Sequence, residues 1–391
     1  MKFIESLRLD GLLSFAPDSP AVELTDLNII IGPNGSGKSN FIEAIELLRA
    51  TPTGFASAIR DGGGVSEWLW KGNSKKPATI DARLHRTNRS SLRYMLSFTA
   101  VSQRTEIVDE LIEEAEKKDP DANDVYFYYR FQKGRPVLNV GSAGGRTKQR
   151  RLERDSLAID ESVLSQRKDP EFYPELSWCA KQFGSLQMFR EWSFGRYTPL
   201  RQPQPADLPT KVLLEDSRNL GLILNQLEHS DVGAEFNQLL QRFLPRYQRL
   251  STLVQGATVQ FFLHEENLNI PIPATRLSDG TIRFLAMLAL LLMPDPPPLI
   301  CIEEPELGLH PDAMTILAEL FVSARERTQL IITTHSDALV SALTEEAESV
   351  LVCEYRGGTI LSRLESDKLQ YWLNKYRLGE LWRMGELGGN L

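Results

Sequence analysis

Residues 27–39 read LNIIIGPNGSGKS, a strand pattern that runs into a glycine-rich turn. Just beyond it, FIEAIELLRA (41–50) carries apolar residues at helical spacing. Strand, loop and helix in that order form the unit expected of a nucleotide-binding α/β domain. Gly32-Pro-Asn-Gly-Ser-Gly-Lys38-Ser39 satisfies G-x-x-x-x-G-K-[ST] in full. The glycines let the backbone N–H groups of Asn34, Gly35, Ser36, Gly37, Lys38, Ser39 and Asn40 turn inward around a β-phosphate, and the helix dipole adds to the attraction. Lys38 is suited to reach the β- and γ-phosphates and the Ser39 hydroxyl to ligate Mg²⁺, so ATP with Mg²⁺ is the expected cofactor. The competing reading is a glycine-rich turn with a chance lysine; the strand–helix context argues against it.

Working outward, 391 residues allow two or three domains, or one domain with a large insertion. The chain is 42% hydrophobic and 25% charged, an ordinary globular composition. No apolar run reaches the roughly 18–20 residues that span a bilayer. The opening MKFIESLRLD has acidic residues where a signal peptide would be apolar. Cys179, Cys301 and Cys353 lack CxxC spacing, which argues against a disulfide framework or a zinc site. A cytoplasmic protein with reduced thiols and no membrane partner is expected. The net charge of −8, from 44 Lys and Arg against 52 Asp and Glu, excludes a uniformly basic nucleic-acid coat but leaves local patches open.

KFIESLRL opens the chain with a strand-like alternation, and residues 51–75, with DGGG at 61–64, read as irregular. From about 78 to 140 short strands dominate, in TIDARLHR, LRYMLSFTAVS and VYFYYRF. EIVDELIEEAEKK (106–118) is expected to interrupt them as a charged helix, and KGRPVLNVGSAGGRTKQRRLER (133–154) to be an exposed, mobile basic loop. Helical stretches are expected at about 156–193 and 211–247, parted by TPLRQPQPADLP. The strand pattern returns in TVQFFL (258–263), LICI (299–302), QLIITT (329–334) and SVLVCEY (349–355), with helices between the last three. An α/β domain made of residues 1–60 and 251–391 is therefore expected, interrupted at 61–250 by an inserted lid or effector subdomain. No internal repeat is visible, and no heptad pattern persists.

Three further motifs carry chemistry. LICI-Glu303-Glu304-Pro305 ends an apolar strand on two acids, at the carboxyl edge where α/β folds bind ligands. Glu303 is suited to hold the Mg²⁺ water shell and Glu304 to polarise an attacking water. QLIITT-His335-Ser336 puts a histidine at the end of the next strand, where it can contact a γ-phosphate or the water. Taken alone, these are a solvated acidic turn and an incidental histidine; the phosphate loop upstream shifts both readings toward function. Finally, LSDGTIRF (277–284) starts an apolar helix, with Ser278 and Asp279 as ordinary N-caps.

In this order the motifs resemble those of the ATP-binding-cassette class of ATPases, in which LSDGT at 277–281 would correspond to the signature motif. The form EEPELGLHP (303–311) followed by TTHS resembles the soluble branch that holds SMC proteins, RecF and the overcoming-lysogenisation-defect nucleases. The ending LGELWRMGELGGN (378–390) resembles a bacterial group of ATPases in that branch. The motif match covers the two ends of the chain. It implies an ABC-type P-loop fold with a mixed sheet, and a homodimer that sandwiches ATP. Ser278 and the Gly280 backbone would then donate to the γ-phosphate held by the other subunit, and Asp279 is expected to turn toward its own helix or the dimer contact. Two departures stand out: Asp279 replaces a commoner glycine, and Glu303 stands where aspartate is more usual. The metal-sensing glutamine of the class has no clear counterpart; Gln103, at a strand end, is the candidate.

The segment after His335 is too short for the nuclease domain of the lysogenisation-defect enzymes, so any DNA cutting is expected of a partner chain. The basic stretch Lys133, Arg135, Arg146, Lys148, Arg150, Arg151 and Arg154 suits a nucleic-acid backbone or an acidic protein surface; a solvated charged loop is the plainer alternative. Two functions follow from different classes. One is an ATP-driven switch acting on DNA or an effector in repair or anti-phage defence. The other is a nucleotide-sensing regulatory subunit of a toxin or nuclease complex with little direct DNA binding. A membrane-transporter ATPase is disfavoured by the large insertion and by the EEPE form.

Overall fold

The computed structural model describes residues 2–72, 76–117, 124–132, 135–141, 147–151, 157–193 and 195–389. Contacts divide the chain into two compact units, Lys2–Leu186 with Leu351–Arg363, and Gln187–Val350 with the chain from Leu364 onward.

The first unit begins with β1 (Ile4–Asp10), β2 (Val22–Glu23), β3 (Leu27–Ile31) and α1 (Lys38–Ala50). β3 is buried along its whole length, and α1 buries Phe41, Ile42, Ile45 and Leu48, the stripe that its helical spacing calls for. Two short helices follow, α2 (Phe55–Asp61) and α3 (Val65–Trp68), where an irregular stretch was expected. Phe55, Ile59, Val65 and Trp68 are buried in them, so packing organises a segment whose glycines argue locally for a loop.

The chain then builds β4 (Ala78–Leu84), β5 (Leu92–Val101), β6 (Arg104–Glu114), β7 (Phe127–Gln132), β8 (Arg135–Gly141) and β9 (Thr147–Arg151). With β1 and β2 they form an antiparallel sheet in the order β2-β1-β4-β5-β6-β7-β8-β9. The expected helix at 106–118 is therefore a strand through Glu114. Ile107, Val108, Leu111 and Ile112 satisfy a helical spacing, but three of them are β-branched, and β5 and β7 supply ladder partners on both sides. The expected mobile loop at 133–154 contains β8 and β9, an antiparallel pair with Leu138 fully buried. Lys133, Arg146 and Arg154 lie outside the described residues. The expected helical stretch at 156–193 contains only α4 (Val163–Gln166) and α5 (Pro174–Gly184).

The second unit starts with β10 (Gln187–Phe189), a strand inside the stretch expected to be helical, then β11 (Gln204–Pro205), α6 (Leu220–Glu228) and α7 (Gly233–Phe243). β12 (Tyr247–Gln255) and β13 (Thr258–Glu265) form a hairpin flanked by β11 and by β14 (Ile272–Pro273). α8 (Asp279–Leu291), β15 (Leu299–Glu303), α9 (Ala313–Ala324), β16 (Gln329–Thr333) and α10 (Asp337–Ala342) complete the alternation expected of an α/β sheet. β10, β15 and β16 run parallel, and the last two are almost wholly buried, which is why they read as unbroken apolar runs. β17 (Val350–Tyr355) and β18 (Thr359–Arg363) form a hairpin of the first unit, where β17 neighbours β3. The helices α11 (Ser366–Leu373) and α12 (Leu378–Arg383) end the second unit.

Among the described residues no helix is long and apolar enough to cross a membrane. All three cysteines are buried thiols outside any disulfide.

Candidate functional site

In the first unit, the turn after β3 is shaped by close approaches that only glycine permits. Gly37 has φ 108°, and a Cβ there would lie 2.0 Å from Thr359 Oγ1. Thr359 Oγ1 donates to the Ser36 carbonyl at 2.7 Å and the Cys353 Sγ reaches the same oxygen at 3.4 Å, so β17 and β18 hold the turn from behind. α1 starts at Lys38 with no side-chain cap, leaving its first N–H groups for another acceptor. The buried Lys38 ammonium donates to the Gly32 and Pro33 carbonyls at 2.8 and 3.0 Å. Among the described residues Ser36 Oγ is buried without a hydrogen-bond partner, a costly state that a phosphate oxygen would relieve. Asn34, Gly35 and Ser39 are exposed, which leaves the Ser39 hydroxyl accessible to a metal ion. Asn40 lines an adjoining cleft of about 490 Å³ with Ser14, Trp70 and Tyr355 among its walls. These residues fit a polyphosphate.

In the second unit, β15 delivers the acid pair. Glu303 is registered with Thr333 of β16, and the Glu304 N–H donates to the Thr333 carbonyl at 2.9 Å. Glu304 sits at φ 46°, an uncommon conformation for a residue with a side chain, of the kind found at functional positions. Side chains from two other segments hold this strand end. The buried Arg283 of α8 donates to the Glu304 carbonyl at 3.1 Å and lies over the Trp192 ring, 5.5 Å from its centroid. Trp192 Nε1 donates to the Glu303 carbonyl at 3.2 Å, and Arg190 Nε lies 3.4 Å from Glu303 Oε1. Burial pushes the Arg283 pKa down to about 10, partly opposed by the carboxylates of Glu306, Glu304 and Asp279.

His335 Nε2 is 3.6 Å from Glu304 Oε1, so the expected acid and histidine do meet, both about a third exposed. Glu306, the third acid of EEPELGLHP, accepts from Thr334 Oγ1 at 2.7 Å and from the His335 N–H at 2.8 Å. It thereby fixes the strand end that carries the histidine. Among the described residues no cluster of three or more His, Cys, Asp and Glu side chains suits a metal ion. Mg²⁺ does not require one, since it is commonly held by one or two protein oxygens with water and phosphate.

At the LSDGT turn, Ser278 caps α8, accepting from the Thr281 N–H at 3.1 Å. A Cβ on Gly280 would lie 2.7 Å from the Gly308 carbonyl, so the helix start is tucked against the loop after the acid pair. Asp279 does not turn to its own helix: within the chain it pairs with Arg201, which is buried and also donates to the carbonyls of Ala274 and Leu277 at 3.2 and 2.5 Å. Gln103 lies in the exposed turn between β5 and β6, with φ 68°, and not at the edge of a parallel sheet. Arg190, at the end of β10, holds the place beside the acid strand. Arg190, Trp192, Arg201 and Arg283 had no motif to announce them, because each acts through a neighbour distant in sequence.

Among protein-family models, the one described as "AAA domain, putative AbiEii toxin, Type IV TA system" matches residues 27–341. Because that span is well over half of the chain, the protein belongs to this family. A curated relative, the Old nuclease of Escherichia phage P2, is 30% identical over 166 residues, which are 37% of this chain and 28% of the nuclease. The chain thus spans under a third of that relative's length. Among solved structures, an SMC head bound to the C-winged helix domain of ScpA is similar at TM-score 0.56 and 15% identity, covering 94% of this chain and 99% of that one. A Pyrococcus furiosus SMC head with an extended coiled coil gives TM-score 0.55 at 14% identity, covering 96% and 99%. The fold is that of SMC heads, an ABC-type P-loop ATPase fold, as the motif resemblance implied.

Proposed function

With family membership as the premise, we propose that the protein is an ATP-hydrolysing switch that dimerises on ATP and drives DNA or a protein effector in repair or anti-phage defence. The observation that carries this reading is the phosphate cradle of the first unit, with a buried, unsatisfied Ser36 hydroxyl beside an uncapped helix start and a buried lysine. In this reading Asn34 through Asn40 bind the phosphates, Lys38 neutralises their charge, Ser39 ligates Mg²⁺ and Glu303 holds its water shell. Glu304 polarises the attacking water, with His335 beside it as a second polar contact. Ser278 and Gly280 donate to the γ-phosphate of a second copy, so closure gains its energy from contacts that hydrolysis removes. The inserted residues 61–250 face the effector, and the basic 133–154 segment meets a nucleic-acid backbone or an acidic surface. The compartment is the cytoplasm.

A second reading is favoured by the family description, which names a toxin of a toxin–antitoxin system. Here the chain is the nucleotide-sensing subunit of a toxin or nuclease complex, and a partner protein does the damage. Co-purification of a stable second protein supports this version; tight DNA binding by the isolated chain supports the first.

Glu304→Gln tests the shared core of both. It is expected to keep ATP affinity and to trap a dimer in ATP and Mg²⁺, read as a doubled mass by light scattering on a sizing column. A monomer at every nucleotide and magnesium concentration sinks the switch.

A further inference from the structure

β10 runs parallel to β15, with Phe189 registered on Ile302, so Arg190 and Glu303 are the next residues along two adjacent strands. Their side chains meet at 3.4 Å between Nε and Oε1, only 25% and 17% exposed. Two residues on, Trp192 donates to the Glu303 carbonyl at 3.2 Å, so the chain from 190 to 192 is fastened to Glu303 by both main chain and carboxylate. Arginine has five donors and no acceptor, so it cannot ligate a metal ion. A guanidinium at this spot must instead contend with a metal ion for the carboxylate.

We propose that Arg190 is a built-in counter-cation at Glu303, displaced from that carboxylate when a divalent metal arrives. The inference rests on the switch reading, because it takes Glu303 to serve the metal that accompanies ATP. Without metal, Arg190 cancels the negative charge that an incoming polyphosphate would meet. With metal, the carboxylate changes partner and the guanidinium is released from it to solvent, so its charge no longer bears on the site. The exchange makes the acid tip register the metal, the role for which the sequence offered no convincing glutamine.

The test uses the full chain and a fluorescent ATP analogue, with binding followed in excess EDTA and across a Mg²⁺ titration. Arg190→Met removes the charge while keeping most of the volume. It is expected to weaken metal-free binding about tenfold and to lower the half-saturating Mg²⁺ concentration about tenfold, the size of one nearby charge in a partly exposed site. Arg190→Lys keeps the charge and stays near wild type in both. These opposite shifts separate charge competition from general damage, which weakens binding in both buffers. An unchanged metal dependence in Arg190→Met, or a loss in both conditions, overturns the proposal while leaving the switch standing. Failure of the wild type to bind the analogue in either buffer removes the switch reading and this inference together.

Discussion

The phosphate loop and the acid tip are two ways of holding a reactive group in place. In the loop, position comes from a backbone packed too closely for any side chain: Gly37 sits where a Cβ would strike Thr359, and Gly32 where one would strike the Cys353 carbonyl. At the tip, position comes from side chains: Arg283, Trp192, Arg190 and Glu306 reach in from distant segments to fasten Glu303, Glu304 and His335. A backbone device tolerates almost no added atoms. A side-chain device degrades one bond at a time.

Substitutions should expose that contrast. Gly37→Val forces a branched side chain into Thr359 at a left-handed φ. Urea unfolding should show a loss of about 4 kcal/mol, the sum of backbone strain and overpacking. If the loss is under 1 kcal/mol, the turn is softer than its contacts imply.

Glu110, a carboxylate on neither device, tests what burial alone does to an acid. It is fully buried, accepts from Tyr94 Oη at 2.8 Å and the Val163 N–H at 2.9 Å, and pairs with Ser162; burial pushes its pKa up to about 7 against those lowering contacts. The unfolded chain sheds this proton near the ordinary 4.5, before the folded one does. Stability should therefore fall by about 3 kcal/mol as pH rises from 4.5 to 7 and level off above. Glu110→Gln should flatten that slope in thermal melts taken across the range; an equal slope in the variant would move the cause elsewhere.

Lys38→Met is expected to cost about a hundredfold in ATP affinity, because a charge-assisted phosphate contact disappears from a buried position. Titration calorimetry with unchanged affinity would remove the lysine from the site. Arg283→Met is smaller and different in kind. It should slow hydrolysis about 30-fold with ATP affinity unchanged, because Glu304 loses the donor to its carbonyl and drifts from its place. Equal losses in affinity and turnover would mean that the tip and the loop are one device and not two.

The loop, the acid pair, the histidine and the helix start at Ser278 were all legible in the sequence, because each is a local pattern whose chemistry depends on neighbours a few residues away. The strand at 104–114 was not. Its apolar residues fit two periods, and ladder partners on both sides chose between them. The Asp279 partner was hidden for a similar reason: Arg201 lies in a proline-rich stretch that reads as a spacer, yet it carries the buried guanidinium that answers the acid.

The sequence by itself determined the family of fold and the residues that fit a phosphate, since glycine spacing, a lysine and two acids at a strand end are constraints written along the chain. The tertiary structure alone decided what surrounds the acids and which cation faces Glu303. Those are contacts between strands and helices far apart in sequence, and their energies depend on burial and register that no local pattern encodes.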